Sequence, residues 1–205
     1  MSFLITRPRY DIATYYLYYW SKKIIAVAKK KNLTIFDLRK GNVNKKKIVS
    51  YLRKRPIDLA IFNGHGDDKS MKGHDDKEII SANENLDLFK GKNVYMRACS
   101  SGKILGPKIV QSGAKGFVGY REPFIFYCNK DKFRKPLEDD IAGPNLECSN
   151  QVAISLVKGH SVSSANKQSL KVYKRKIDSM MTSESGNNFI LVSLMWNMNH
   201  QVCYE

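Results

Sequence analysis

The sequence has few of the residues that mark secreted, metal-stapled or membrane-spanning proteins. Only four of its 205 residues are cysteines, and their wide spacing without a CxxC pair argues against a disulfide framework or a zinc site. No apolar run approaches the roughly 20 residues that cross a bilayer. The first ten residues include two arginines and a proline, so they lack a signal-peptide core. These absences predict a cytoplasmic protein without a membrane segment.

Acidic residues are also scarce, with 19 Asp and Glu against 35 Lys and Arg, which gives a net charge of +16. Residues 1–60 carry fifteen basic and only three acidic residues, an excess that could attract nucleic acid or another polyanion. The lysines occur in short runs on predicted helix faces, without the interleaved aromatic residues of an RNA or DNA reader. Solvated helix faces are therefore the favoured interpretation, and polyanion binding is the alternative.

What the sequence does contain is an alternation of short β-rich apolar runs with helical patterns. This alternation is typical of a parallel sheet with crossover helices, here in one α/β domain spanning residues 1–205. The predicted strands cover residues 2–6, 33–38, 58–63, 94–98 and 116–120. The predicted helices cover residues 11–30, 44–55, 107–112, 151–157 and 164–181. The apolar residues 189–198 fit either a helix or a buried strand.

Two segments interrupt the alternation. Residues 67–88 carry seven acidic and three basic residues and are predicted to form a loop or a small excursion. Residues 126–147 mix proline, glycine, asparagine and charges without a period, and a loop of that length in a compact domain is commonly functional. We expect this second segment to be a mobile loop that flanks the functional site.

Reactive side chains follow two of the predicted strands. Residues 63–66 read Asn-Gly-His-Gly around His65, and residues 97–102 read Arg-Ala-Cys-Ser-Ser-Gly around Cys99. Because neighbouring parallel strands open on one crevice at their carboxyl ends, we expect the imidazole and the thiol to share that crevice. A thiolate is a nucleophile that needs a nearby base or helix N-terminus to lower its pKa. The N–H groups of Gly66 and Cys99 are the predicted oxyanion donors.

Other titratable residues near His65 compete for a role. Asp67 and Asp68 are the candidates to orient the imidazole. His74 is the competing base, but no apolar strand precedes it, so we expect an exposed loop histidine. The aspartates of this region match no calcium-loop spacing, and no metal ion is predicted.

A strand ending in His-Gly followed by a strand ending in Ala-Cys, with Ser-Gly behind it, resembles the caspase-like superfamily of cysteine peptidases. That group includes caspases, metacaspases, separase, legumain, clostripain, gingipains and the CHAT proteases. The resemblance implies a three-layer α/β sandwich with a mainly parallel sheet. It also implies a cysteine endopeptidase that acts on protein or peptide substrates through a Cys-His dyad, without a cofactor and with a possible need for a regulatory protein partner. By likeness to caspases, residues 126–147 are a candidate segment for activating self-cleavage, with Asp139 and Asp140 as the candidate positions. His65 and Cys99 are closer in sequence than the roughly 50 residues of the caspase signature, which indicates a distant, prokaryotic-type member.

Substrate preference is predicted from Arg97, which lies two residues before Cys99 and therefore on the same side of the strand. In relatives this position resembles a pocket liner, with glutamine in caspases and aspartate in enzymes selective for basic residues. An arginine there predicts a preference for Asp or Glu at the residue whose carbonyl is attacked, with Arg121 as a second contact. The alternative is that Asp67 or Asp68 neutralises Arg97, which then only braces the crevice.

Two other functions remain open on the sequence. One is a catalytically silent module on the same fold that binds a polyanion or a protein partner. The other is a thiol hydrolase or acyltransferase that acts on a small molecule. An extended peptide substrate is favoured because relatives bind it as a strand along the sheet edge.

Overall fold

The structure is a computed structural model that describes residues 1–182 and 188–205. The strands are β1 (Ser2–Arg7), β2 (Thr34–Arg39), β3 (Leu59–Asn63), β4 (Ser70–Lys72), β5 (Glu78–Ser81), β6 (Asn93–Arg97), β7 (Gly116–Tyr120) and β8 (Gln201–Tyr204). The helices are α1 (Ile12–Lys30), α2 (Lys45–Lys54), α3 (Leu105–Gln111), α4 (Gly143–Val157), α5 (Val162–Met181) and α6 (Asn188–His200).

Six of the strands form one sheet in the order β2-β1-β3-β6-β7-β8. All neighbours pair in parallel except β7 and β8, which are antiparallel. The remaining two strands, β4 and β5, form a separate antiparallel hairpin. The sheet is therefore mainly parallel, as the alternation in the sequence predicts.

Apolar side chains cover both faces of the sheet, because buried parallel strands carry hydrophobic residues on both sides. On one face Ala60 and Val94 pack with Ile48 of α2 and Leu105 of α3. On the other face, strand residues pack with helices α1, α4 and α5, among them Phe3, Ile61, Tyr95, Ile24, Val152 and Ala165. These helices, the sheet and the opposite helices make the three layers of the predicted α/β sandwich.

Two elements differ from the sequence-based expectation, namely the start of helix α4 and the unpredicted strand β8. Helix α4 begins at Gly143 rather than at residue 151, and Pro144 lies in its first turn, a position that proline tolerates because its missing N–H has no helical partner there. Within the acidic segment, the hairpin β4–β5 forms the small excursion that the sequence gives as one of its two alternatives. The apolar tail is the helix α6, and the unpredicted strand β8 follows it directly.

The chain reverses its direction of growth across the sheet at β1, which lies between β2 and β3. At such a switch point the loops after the two adjacent strands diverge to opposite faces and leave a crevice at their carboxyl ends. Residues 8–11 and residues 64–66 border this crevice. Among the described residues, no helix is long and apolar enough to cross a membrane.

Candidate active site

His65 and Cys99 follow two hydrogen-bonded parallel strands. Strands β3 and β6 pair with Asn63 opposite Arg97, and His65 and Cys99 each come two residues later. The two loops touch at Gly66, where an added Cβ would lie 3.0 Å from the Ala98 Cβ and 3.2 Å from the Cys99 carbonyl oxygen. The structure therefore brings the two predicted catalytic residues to the same edge of the sheet, with glycine required between them.

The backbone around Gly66 leaves its N–H directed away from the hairpin. Lys72 donates its N–H to the His65 carbonyl at 2.9 Å, and Asp67 donates to the Ser70 carbonyl at 3.0 Å. These two bonds enclose the bridge between Gly66 and Met71, so this pair is the non-hydrogen-bonded kind whose own N–H groups point outward. The geometry suits the predicted use of Gly66 as an oxyanion donor.

Asp11, the first residue of the helix predicted over residues 11–30, holds the imidazole. Its Oδ2 lies 2.5 Å from Nε2 of His65. Its Oδ1 accepts the N–H of Thr14 at 2.8 Å, and the Asp11 N–H donates to the Thr14 hydroxyl oxygen at 3.1 Å, so the two residues form a capping box at the start of α1. One carboxylate therefore fixes both the first turn of α1 and the ring of His65.

The pKa of Asp11 reflects this double role. Burial acts to raise the pKa of the carboxyl, but the hydrogen bonds from Thr14 and from His65 outweigh it and lower the pKa below its ordinary value. The carboxylate of Asp11 is therefore ionised at neutral pH.

The expectation that Asp67 or Asp68 orients His65 is wrong. The carboxylate of Asp67 accepts the N–H groups of Lys69 and Ser70 and the Ser70 hydroxyl, and it lies 3.5 Å from the Lys72 ammonium. These bonds close the turn before β4 and direct the carboxylate away from the imidazole. The signal that could have identified Asp11 is its place after β1, at the switch point of the sheet.

His74 is not the exposed loop histidine that the sequence predicts, since its side chain is only 21% exposed. Its Nδ1 accepts the backbone N–H of Arg9 at 3.4 Å. The ring of Tyr10 lies edge-on to both histidines, 5.4 Å from His74 and 6.1 Å from His65. His74 therefore supports Tyr10, which packs against the imidazole of His65.

The thiol of Cys99 is half-buried beside the segment that follows β7. Burial raises the pKa of the thiol above its ordinary value, and the backbone N–H groups of Phe124 and of Cys99 itself partly offset this rise. The next residue, Ser100, has a φ of 53° and donates its N–H to the Glu122 carbonyl at 3.3 Å. The segment after β7 thus holds the turn that carries the thiol.

The prediction that Arg97 projects into the crevice is wrong, because its side chain is completely buried. Like Tyr95, it points to the face of the sheet that α1 and α4 cover, and polar side chains of these helices surround it. The guanidinium makes hydrogen bonds of 2.6–3.3 Å with neutral acceptors, namely Asn63 Oδ1, Ser149 Oγ, Asn150 Oδ1 and Ser21 Oγ. Asp67 and Asp68 are not among these acceptors, so the alternative in which they neutralise Arg97 is also not observed.

Arg121, the second expected substrate contact, is exposed at the carboxyl end of β7. Its backbone N–H donates to the His200 carbonyl at 2.8 Å. The neighbouring Glu122 is the residue that holds the turn after Cys99. Arg121 therefore lies at the border of the site, and its role in binding stays a prediction.

Much of the predicted mobile loop is attached to α1. We call residues 129–142 the strap. Asp139 is 2% exposed and accepts four hydrogen bonds, from the Tyr16 hydroxyl and from the N–H groups of Asn129, Ile141 and Ala142. Trp20 adds a bond from its indole N–H to the Pro136 carbonyl at 2.8 Å. Asp139 is therefore a buried anchor rather than an accessible cleavage position, whereas Asp140 is exposed.

Within the described parts of the chain, no group of three or more His, Cys, Asp or Glu side chains is placed to hold a metal ion.

Comparison with known proteins shows a likeness in structure only. No protein-family model matches the sequence, and no curated protein sequence matches it. The fold resembles the crystal structure of the Arg-specific cysteine proteinase gingipain R (RgpB), with a TM-score of 0.64 and 9% identity over 98% of this chain and 45% of that chain. It also resembles the complex of Porphyromonas gingivalis RgpB pro- and mature domains, with a TM-score of 0.62 and 10% identity over 98% and 46% of the two chains.

These neighbours define the class of fold. The mainly parallel sheet between two helical layers is the caspase-like α/β fold that gingipain also has. The chain spans about half the length of the solved structures that it matches.

Proposed function

We propose that the protein is a cysteine endopeptidase in which Cys99 is the nucleophile, His65 is the acid and base, and Asp11 is a positioning residue. The observation that carries the proposal is the pairing of β3 with β6, which brings His65 and Cys99 to one edge with Gly66 against the Ala98–Cys99 backbone. The likeness of the fold to a cysteine proteinase supports it.

The contact with Asp11 decides which nitrogen of His65 reacts. Because Nε2 donates its proton to the Asp11 carboxylate, Nδ1 is the nitrogen that accepts the proton of the Cys99 thiol. The thiolate attacks the peptide carbonyl carbon, and the N–H groups of Gly66 and Cys99 receive the oxyanion. The C–N bond breaks as Nδ1 gives its proton to the departing amine, which leaves a thioester on Cys99.

Water completes the cycle. Nδ1 of His65 takes a proton from the water as its oxygen attacks the thioester carbon. The C–S bond then breaks, the acid product leaves, and the proton returns from His65 to the thiolate. No cofactor takes part in these steps, and the substrate is a protein or a peptide.

A specific observation favours the alternative of a catalytically silent module. The pKa of Cys99 is raised by burial, whereas an activated thiol has a lowered pKa. In an endopeptidase, the raised pKa of Cys99 must fall when substrate binding brings Nδ1 of His65 close to the thiol. In a silent module the same residues would serve only to fold, and the partner would be a protein or a polyanion.

The test is cleavage of a peptide library by the wild type and by matched variants. Cys99→Ala and His65→Ala are each expected to lower kcat/KM by about 10⁴-fold or more, and Asp11→Asn by about 100-fold. Asp68→Asn is the control, because it makes the same chemical change at an aspartate that the sequence also offers to orient His65. It is expected to keep wild-type activity. Circular dichroism verifies the fold of each variant.

Iodoacetamide labelling, read by mass spectrometry, provides a second measurement. Cys99 is expected to react faster than Cys128, Cys148 and Cys203, and His65→Ala is expected to slow it. Near wild-type turnover in Cys99→Ala or His65→Ala would contradict the proposal. Absence of cleavage by the wild type, together with equal labelling of Cys99 in wild type and His65→Ala, would favour the silent module.

A further inference from the structure

A second cleft adjoins the one that contains His65. We call it the aromatic cleft, and it has a volume of about 400 Å³. It lies between the first turns of α1 and the strap, and the exposed side chain of Ile12 (53%) stands at its mouth. The residues that line it are Tyr10, Asp11, Ile12, Tyr15, Tyr16, Phe133 and Arg134.

The aromatic cleft is continuous with the site on the side of His65. Tyr10 and Asp11 line both this cleft and the neighbouring cleft that contains His65 and Gly66. The Asp11 carboxylate contacts the imidazole directly. A group bound in the aromatic cleft therefore lies beside Asp11, the residue that contacts the imidazole of His65.

A row of aromatic rings connects the other wall of the cleft to Cys99. The backbone N–H of Phe124 faces the sulfur of Cys99, and the Phe124 ring lies 6.0 Å from that of Phe126. Phe126 is 5.8 Å from Tyr16, which is 6.2 Å from Phe133. The row ends at Cys99, and because the acyl part of the substrate becomes bonded to that sulfur, the acyl residue is the part of the substrate nearest to this wall.

Three polar side chains of the cleft already have hydrogen-bond partners, and the first is Tyr10, whose hydroxyl donates to Asp76. The hydroxyl of Tyr16 donates to Asp139, and the Asp11 carboxylate is used by Thr14 and His65. Arg134 is exposed at the rim. What the cleft offers a ligand is therefore aromatic and aliphatic surface, which binds apolar side chains by removing their surface from water.

We infer that the aromatic cleft binds a large apolar or aromatic side chain of the substrate, at the residue whose carbonyl Cys99 attacks. This inference rests on the proposed function. It replaces the expectation, based on Arg97 in the sequence, that substrates with Asp or Glu at this position are preferred. The buried guanidinium of Arg97 cannot reach a substrate carboxylate. The charged groups that remain are engaged with protein partners or lie at the rim.

The first experiment is a peptide library varied at that one position. The wild type is expected to cleave Phe, Tyr and Leu substrates with kcat/KM about 10- to 100-fold above Asp, Glu, Lys and Arg substrates, the range that burial of such a side chain provides. Ile12→Asp, which puts a charge at the mouth of the cleft, is expected to lower kcat/KM for the Phe substrate by about tenfold. Leu137→Asp makes a similar change at an exposed strap residue outside the cleft and is expected to leave the preference unchanged.

The second experiment measures binding without catalysis. Fluorescein-labelled peptides that differ only in one Phe or Asp residue are titrated with the Cys99→Ala protein, and anisotropy gives Kd. The Phe peptide is expected to bind about tenfold more tightly or better, and adding Ile12→Asp is expected to remove this advantage.

The outcomes separate the inference from the proposed function. Cleavage that prefers acidic or basic residues would overturn the inference and leave the peptidase intact. Absence of cleavage together with the expected Phe binding would overturn the peptidase and support the cleft as a peptide site. Absence of an apolar preference in both experiments would overturn the inference.

Discussion

At the scale of single residues, the buried side chain of Arg97 stabilises the strand ends that carry His65 and Cys99 and hydrogen-bonds to neither of them. Its guanidinium connects Asn63 at the end of β3 with Ser149 and Asn150 of α4 and Ser21 of α1. Asn63 in turn donates to the Thr6 carbonyl of β1 at 2.7 Å. The network crosses the carboxyl ends of three neighbouring strands directly below His65 and Cys99.

Replacing Arg97 by leucine is expected to lower the free energy of unfolding by about 3 kcal/mol. The substitution leaves several buried hydrogen-bonding groups without their charged partner. Urea denaturation measures the change. Arg121→Leu is the matched control, because that arginine is exposed, and its effect is expected to stay within about 0.5 kcal/mol. Equal effects of the two substitutions would mean that the network does not stabilise the fold.

The placement of His65 and Cys99 at one edge of the sheet was predictable because their motifs are local and follow recognisable strands. The buried direction of Arg97 was not, because its acceptors on α4 lie more than fifty residues away. A strand period shows which residues share a face, but not which helix covers that face. The role of Asp11 was missed for the same reason, since capping is local whereas its contact with His65 joins two loops.

At the scale of elements, the strap depends on one buried carboxylate. Asp139 closes the start of α4 through the N–H groups of Ile141 and Ala142, and it joins the strap to α1 through Tyr16. The strap also supplies Phe133 and Arg134 to the aromatic cleft. A single side chain therefore determines whether one wall of the cleft stays in position.

Asp139→Ala is expected to release the strap, because four hydrogen bonds lose their acceptor. The measurement is limited trypsin digestion with N-terminal sequencing, since the strap contains Lys130, Lys132, Arg134 and Lys135. Cleavage within the strap is expected to accelerate about tenfold or more as its local opening becomes more favourable. Asp140→Ala changes the exposed neighbour and is expected to behave as the wild type, so similar digestion of the two variants would refute the anchoring role.

Helices α1 and α2 and the strands that precede them were predictable from their caps and periods. Helix α4 was predicted eight residues too short, because its first turn reads Gly-Pro-Asn and resembles a loop. Strand β8 was missed because four residues show no useful period. Its pairing with β7, with Tyr204 opposite Phe117, depends on a neighbour far away in sequence.

At the scale of the whole molecule, the net charge of +16 opposes the compact state through self-repulsion. Ionic screening shortens the range of this repulsion from about 30 Å at 0.01 M salt to about 8 Å at 0.15 M. The fold class was predictable at this scale because it depends on the alternation of strands and helices, which a mainly local pattern encodes.

The melting temperature is therefore expected to rise by roughly 2–4 °C when sodium chloride increases from low concentration to physiological ionic strength, which corresponds to about 1 kcal/mol of relieved repulsion. Differential scanning calorimetry measures it. Sucrose at matched osmolality is the control for solvent effects that do not depend on charge. A melting temperature that falls with salt would show that the surface ion pairs stabilise the protein more than the excess positive charge destabilises it.

Because Asp11 contacts both Thr14 and His65, the start of α1 is expected to respond when a ligand occupies the candidate site. The same carboxylate holds the N–H of Thr14 and the ring of His65, which lie far apart in sequence. A ligand that draws the imidazole toward the thiol is expected to weaken the hydrogen bond between His65 and Asp11. This change is expected to alter the hydrogen bond between Asp11 and the Thr14 N–H in the first turn of α1. Amide hydrogen exchange at Thr14 is therefore expected to change when a ligand binds at the thiol, although Thr14 itself is buried.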